Sequence, residues 1–401
     1  MTGRDPEEAH RSATPLELLF DLTFVAAFAQ AGDQAAHLLA EGHFAAALVA
    51  FSFVAFAVCW AWVNFSWFAS AFDTDDWFFR LATMVQMVGV LVLALGVPQV
   101  FTSIDHGEPL DNGVVVAGYI VMRVAMVAQW VRVAVQDPAN RRFATTFAGA
   151  IAVSQVGWTA VLFLDLPLGR LVPVLVLLYA VELGGPVLAA RASQVPPWHA
   201  HHIAERYGLL VMITLGEVVL GTIAAVSAVV GRVGWSTEAV LVVVAGTGLA
   251  FGVWWVYFVV PAGDVLRRHR RRAWVWGYGG IVIFSSLAAM GAGLHVAAYV
   301  VEGESSIGVA EAVLTIAVPV LVTVIAYFAI YSYLVGAVDP FHLLLFAGTA
   351  AMLCLAVALA ALGAGFGLCL LVVALAPAVI VVGYETIGHR HMAAVLQEVL
   401  R

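Results

Sequence analysis

Long apolar blocks run through this chain from near its start to its end, separated by short polar or glycine-bearing breaks. An apolar run of about 20 residues, at 1.5 Å rise per residue, crosses roughly 30 Å of hydrocarbon. The blocks predict twelve helical spans, at 15–39, 44–71, 78–101, 113–135, 143–164, 170–191, 200–229, 236–260, 273–300, 309–335, 341–362 and 364–386. The last two are divided only by Gly363-Ala364-Gly365, which reads as a tight turn, with one long kinked helix as the alternative.

Composition places these helices in a membrane. The chain has 401 residues, 63% hydrophobic and 11% charged, against about 25% charged in soluble domains. No polar segment is long enough to build a soluble domain, so the fold class is an all-α integral membrane protein of about twelve transmembrane helices. Cys59, Cys354 and Cys369 lie in apolar stretches and read as small hydrophobes. The first eleven residues lack the pattern of a cleaved signal peptide.

Charge sets the expected topology. All 18 basic residues are arginine, which excludes a Schiff-base lysine. With twelve spans one side receives Arg4, Arg11, Arg80, Arg132, Arg141, Arg142, Arg191, Arg206, Arg267, Arg268, Arg270, Arg271, Arg272, Arg390 and Arg401. The other side receives Arg170 and Arg232, and Arg123 lies within a span. The positive-inside rule predicts a multi-pass plasma-membrane protein with both termini cytoplasmic. The Arg267–Arg272 cluster reads as a topogenic stop that can also meet anionic headgroups.

An internal repeat organises the chain. Glu17 opens the first helix and Glu205 the seventh. The second helix ends in Trp60-Ala61-Trp62-Val63-Asn64-Phe65 before Asp73; the eighth ends in Trp254-Trp255-Val256-Tyr257-Phe258 before Asp264. This pattern predicts a cytoplasmic tail over 1–14, six-helix repeats over 15–195 and 196–388, and a cytoplasmic tail over 389–401. Six helices per copy give both copies one orientation, a parallel repeat.

Candidate chemistry collects in buried acids. Glu17 and Asp21 stand at i and i+4 on one helix face. Thr14, Pro15 and Glu17 fit a capping box with proline at the first helical position, a local reason for Glu17. Asp21 lies about 6 Å deeper and has no such reason, so it is a functional candidate. Asp33 lies near the other end of this helix. Glu217 is twelve residues beyond Glu205, near mid-membrane, and reads as an ion or proton site. Arg123 needs an acidic partner, with Glu217, Glu182 and Asp33 as candidates; Arg206 can pair with Asp21 or Glu17. His199, His202 and Glu205 step by three and could hold a metal, but interfacial histidines without metal are the favoured reading. The transport layer is therefore Glu17, Asp21, Asp33, Arg123, His202, Glu205, Arg206 and Glu217. The aromatic and acidic helix ends are Trp62, Asn64, Asp73, Asp76, Trp255, Tyr257 and Asp264. No phosphate loop, Ser-His-Asp set or zinc-protease motif stands out, so no catalytic residue, metal or cofactor is assigned.

Glu17-Leu18-Leu19-Phe20-Asp21-Leu22-Thr23-Phe24-Val25, His202-Ile203-Ala204-Glu205-Arg206-Tyr207-Gly208-Leu209 and Leu215-Gly216-Glu217 resemble hallmarks of the bacterial low-temperature-requirement protein A family. So do the Trp-rich ends of the second and eighth helices, with Asp73, Asp75, Asp76 and Arg80. The resemblance covers roughly 12–390 and implies a polytopic bacterial membrane protein, in a family named for growth in the cold. Leu19-Phe20-Asp21 is also similar to the Phe-Ser-Asp motif of an endolysosomal and bacterial potassium channel family with six-helix repeats. Only the aspartate matches in place, and Leu209 stands where that family's second repeat has aspartate. Together these readings predict transport of a small ion or solute, with an intramembrane enzyme on a lipid-soluble substrate, or a non-catalytic stress-sensing membrane protein, as alternatives. The expected partners are the lipid bilayer and the transported ion or solute; nucleic acid is not one, and a homo-oligomer is left open.

Overall fold

A computed structural model describes residues 1–8, 11–164 and 166–399, so Arg401 of the topology reading lies outside the described residues. The described residues are helical throughout their ordered elements and contain no strand. The α-helices are α1 (Pro15–Ala40), α2 (Phe44–Phe72), α3 (Trp77–Leu95), α4 (Val97–Asp105), α5 (Gly113–Gln136), α6 (Arg141–Val161), α7 (Leu168–Ala192) and α8 (Ala200–Val233). They continue as α9 (Thr237–Phe258), α10 (Ala262–Arg268), α11 (Ala273–Glu302), α12 (Val309–Val335), α13 (Pro340–Ala361), α14 (Phe366–Gly383) and α15 (His389–Val399).

The chain is an all-α integral membrane protein. Eleven helical segments are long and apolar enough to cross a bilayer. The remaining long helix, α6, has 21 residues but carries Thr145, Thr146, Ser154, Gln155 and Thr159, which lower its hydropathy. The third span is broken at Gly96, where Pro98 enters the first turn of α4. Leu362–Gly365 separates α13 from α14, and Gly363 takes φ +86°, a left-handed turn residue. The last two spans are thus distinct helices. Within the segment expected as a C-terminal tail, His389–Val399 forms α15, joined to α14 through a π-helical turn over Tyr384–Gly388.

Two compact units divide the chain: 1–31 with 49–203, and 32–48 with 204–401. In the first unit α3, α5, α6 and α7 pack in succession. The core there is aromatic. Phe68 and Phe72 lie edge-on to Trp130, whose ring also meets Phe143 and Phe147. Helices α3 and α5 touch backbone to backbone, because a Cβ on Gly118 would sit 2.5 Å from the Leu93 amide. In the second unit α11, α12, α13 and α14 pack in succession, and α14 also packs on α9. A Cβ on Gly293 of α11 would sit 2.6 Å from the Thr315 carbonyl of α12. Small residues allow such approach where apolar association alone cannot hold helices together in lipid.

Candidate functional site

The first unit holds a buried polar column that starts at the entry to α1. Thr14 precedes the helix and Pro15 occupies its first position. The Glu17 amide donates to Thr14 Oγ1 at 3.3 Å, and the Thr14 amide donates to Glu17 Oε2 at 2.8 Å. This is a complete capping box. One face of α1 carries Glu17, Phe20, Asp21, Phe24 and Phe28, all buried, while Leu18, Leu19 and Leu22 are exposed. The first turns of the helix thus face Leu18, Leu19 and Leu22 outward and Glu17 and Asp21 inward.

Both acids meet side chains from distant parts of the unit. Glu17 Oε2 lies 3.1 Å from His202 Nε2, and both side chains are 0% exposed. One turn deeper, Asp21 Oδ1 accepts from Trp62 Nε1 of α2 at 2.7 Å. Phe20, between the two acids, lies against Phe65 with ring centroids 3.8 Å apart. The pair therefore sits in an aromatic, water-poor wall, where ionised acids need specific partners.

The mouth of this column is built by groups outside the spans. Arg11 donates to the carbonyls of Ser70 and Ala69 at 2.5 and 2.6 Å. It thereby closes the last turn of α2, where orphan carbonyls and the helix dipole favour a cation. Burial, and next the charge of Arg4, push the Arg11 guanidinium down to about 10, which leaves it charged at neutral pH. Asp73 follows α2 directly and is buried. Burial, and next the charge of Glu17, push its carboxyl above the ordinary range, against the Asp75 amide and Arg11.

His199 caps α8. Its Nδ1 accepts from the His202 amide at 3.1 Å, and its backbone amide donates to Ser70 Oγ at 3.1 Å. The Nε2 must then carry the proton, because it faces the Glu8 carbonyl at 2.8 Å. Both ring nitrogens of His199 are thus engaged within the protein, and a metal would have to displace one of these bonds.

A second buried group lies in the same unit. Arg123 of α5 pairs with Glu182 of α7 at 3.0 Å, and each side chain is 5% exposed. Glu182 Oε2 also accepts from Trp60 Nε1 at 2.8 Å. The Arg123 guanidinium stands 5.0 Å from the Tyr119 ring centre, and Tyr119 donates to the Ala57 carbonyl at 2.7 Å. Of the three partners considered for Arg123, the pair formed is with Glu182. Asn64 turns back to the Trp60 carbonyl at 2.7 Å. Asp76 caps α3 through the Phe79 amide and receives both terminal nitrogens of Arg132, the first at 2.9 Å.

The second unit holds the remaining candidates. Arg206 is fully buried and Glu217 nearly so, whereas Glu205 and Asp33 are exposed. Gly291 of α11 packs directly on α8 at Glu217, since its Cβ would lie 2.7 Å from the Glu217 carbonyl oxygen. Trp255 Nε1 donates to Glu385 Oε1 at 3.3 Å, Tyr257 lines a cavity, and Asp264 stands in the first turn of α10. Sequence reasoning missed Arg11 as a cap for α2, and it missed Tyr327 and Tyr331 beside Tyr257. A tyrosine pair at i, i+4 inside an apolar helix was the available signal.

The geometry can now be set beside known proteins. The chain is 28% identical over 211 residues to a protein of Rhizobium meliloti (strain 1021) described as "Uncharacterized protein RA0937". That match covers 51% of this chain and 49% of the relative, so the chain spans about half the length of the curated relative it matches. No solved structure matches. The family described as "Bacterial low temperature requirement A protein (LtrA)" matches residues 12–377, which include both capped helix entries, the Glu17–His202 and Asp21–Trp62 contacts and the Arg123–Glu182 pair. The chain belongs to the bacterial low temperature requirement A protein family.

Proposed function

We propose that this protein moves a small ion or solute across the bacterial cytoplasmic membrane, with Glu17 and Asp21 as the exchanging groups of its first unit. The observation that carries the reading is the stacked pair of fully buried acids on α1, each touching a polar side chain of another helix. His202 against Glu17 gives the upper acid a titratable neighbour, and Trp62 gives the deeper one a neutral donor. A fully buried carboxylate in an apolar wall has strong reason to exchange a cation or proton. Asp73, Arg11 and His199 stand at the mouth as an antechamber of mixed charge.

The same reading takes the chain as two parallel six-helix repeats over 15–195 and 196–388. It is supported by the same order of packing in each unit: a glycine-mediated pair, α3 with α5 and α11 with α12, followed by the next two helices in turn. In this arrangement both termini and the Arg267–Arg272 segment are cytoplasmic.

Ion flux into liposomes reconstituted with purified protein tests the reading. Asp21→Asn is expected to abolish flux and Glu17→Gln to reduce it severalfold, with Glu217→Gln reporting on the second unit. Equal flux in wild type and all three variants removes the assignment.

A further inference from the structure

We propose that the second unit carries a binding site for a small organic ammonium cation, in the open cavity lined by α8, α9, α11 and α12. The proposal concerns a different unit from the acid pair on α1 and stands independently of the transport reading. The cavity has a volume of about 240 Å³. A single water needs only about 10–15 Å³, so the space fits a small molecule rather than a lone solvent.

Its wall combines aromatic rings with aliphatic side chains such as Ile283, Ile330 and Leu334. Tyr207, Tyr257, Tyr327, Tyr331 and Trp276 supply aromatic rings, and among the described residues Glu205 is the charged one that lines it. Aromatic faces attract a diffuse cation through the ring quadrupole, most strongly where water is excluded. A carboxylate at the edge of such a wall selects positive over neutral guests. An inorganic cation is the poorer fit. Hard ions need a close shell of six or more oxygens, and the wall of this cavity is mostly carbon.

The rings are held before any ligand arrives. Tyr207 lies against Trp276 with centroids 4.2 Å apart and donates to the Gly277 carbonyl at 3.1 Å. Gly280 leaves room for the Tyr207 ring, since a Cβ there would stand 2.6 Å from it. The Tyr257 and Tyr327 ring centroids lie 6.5 Å apart, with the ring planes tilted by 50°. Preorganised rings bind without ordering cost at the moment of association.

A trimethylammonium or ammonium group fits this chemistry whether it belongs to a free cation or to a lipid headgroup. The test uses the full-length protein in phosphatidylglycerol nanodiscs and measures choline binding by calorimetry. The comparison ligand is the neutral alcohol in which a tert-butyl group replaces the trimethylammonium. Choline is expected to bind at least about tenfold tighter than this isostere. Glu205→Gln and Tyr257→Leu are each expected to weaken choline severalfold, while Tyr257→Phe, which keeps the ring, is expected to leave it unchanged. Glu205 is exposed, so its variant keeps the test alive if Tyr257→Leu does not fold. Moving to phosphatidylcholine nanodiscs identifies the source: loss of choline binding there assigns the site to a lipid headgroup, and retention assigns it to a free cation. No choline binding in phosphatidylglycerol, equal affinity for the neutral isostere, or choline affinity unmoved by both Glu205→Gln and Tyr257→Leu would overturn the proposal.

Discussion

Arg123 and Glu182 show how a charged residue is kept inside an apolar bundle. Each side chain is 5% exposed and each is the other's ion partner. Removing one partner strands the other charge and costs ~3–5 kcal/mol, whereas replacing both with apolar residues of similar size is far less costly. Arg123→Leu and Glu182→Leu alone should therefore each lower the thermal midpoint in detergent sharply, and the double variant should recover most of the loss. An additive double variant would mean that the pair is not coupled. Two acids outside the spans carry opposite pH signatures. Asp76, held low first by its bond to Arg132, stabilises the fold above the ordinary 3.8 of a free aspartate and loses that contribution as the pH falls below it. Asp73, held high first by burial, does the reverse: the unfolded chain ionises first, so stability declines as pH rises from 3.8 toward its folded value. Unfolding midpoints measured against pH should lose acid sensitivity in Asp76→Asn and lose the decline above 3.8 in Asp73→Asn. Identical slopes in wild type and both variants would contradict these assignments.

At the scale of elements, glycine decides where helices meet. Gly118 of α5 faces the Leu93 amide and Gly89 carbonyl of α3, so a methyl there forces two backbones apart. Gly118→Ala should destabilise the protein by ~1–3 kcal/mol through overpacking. Gly149 of α6 has nothing within 4 Å of its would-be Cβ, and Gly149→Ala should be neutral or add up to ~1 kcal/mol of helix propensity. Thermal unfolding of the two single variants checks both signs. The same scale explains what could be read in advance. Helix limits such as Pro15–Ala40 and Val309–Val335 were legible because hydropathy, proline entry and glycine exit are local signals. The capping box was legible for the same reason, since Thr14 and Glu17 are three residues apart. The partners of the acids were not: 185 residues separate Glu17 from His202, and 41 separate Asp21 from Trp62. A single sequence carries no record of which distant side chains meet. Helix α15 was missed because it is short and amphipathic, with charged and apolar residues mixed along its length, and so gives no hydropathy block.

At the scale of the whole chain, α6 decides the topology. Eleven segments qualify as crossings by length and hydropathy alone, and an odd number would leave the termini on opposite sides. Helix α6 has 21 residues, about 31 Å at 1.5 Å per residue, which suffices for the hydrocarbon core. Arg141 and Arg142 stand together at its first turn, and no charged residue follows before its end at Val161. Its polar residues are mostly hydroxyls, and Thr145 and Thr159 bond back to carbonyls of their own helix. Thr145 and Thr159 thus lower hydropathy without leaving a hydroxyl donor for lipid to bury. Helix α6 also packs on α5 and on α7, both of which are candidate crossings. It should therefore cross, giving twelve spans and returning the C-terminus to the side of the N-terminus. Reporter fusions that fluoresce only in the cytoplasm, placed at the N-terminus, after Asp137, after Leu164 and after the Arg267–Arg272 segment, read this directly. Signal is expected at the first, second and fourth positions and not at the third. Fluorescence after Leu164 would place α6 outside the membrane and return the count to eleven. The position of the arginine-rich segment then moves to the opposite face, and the parallel relation of the two repeats falls with it.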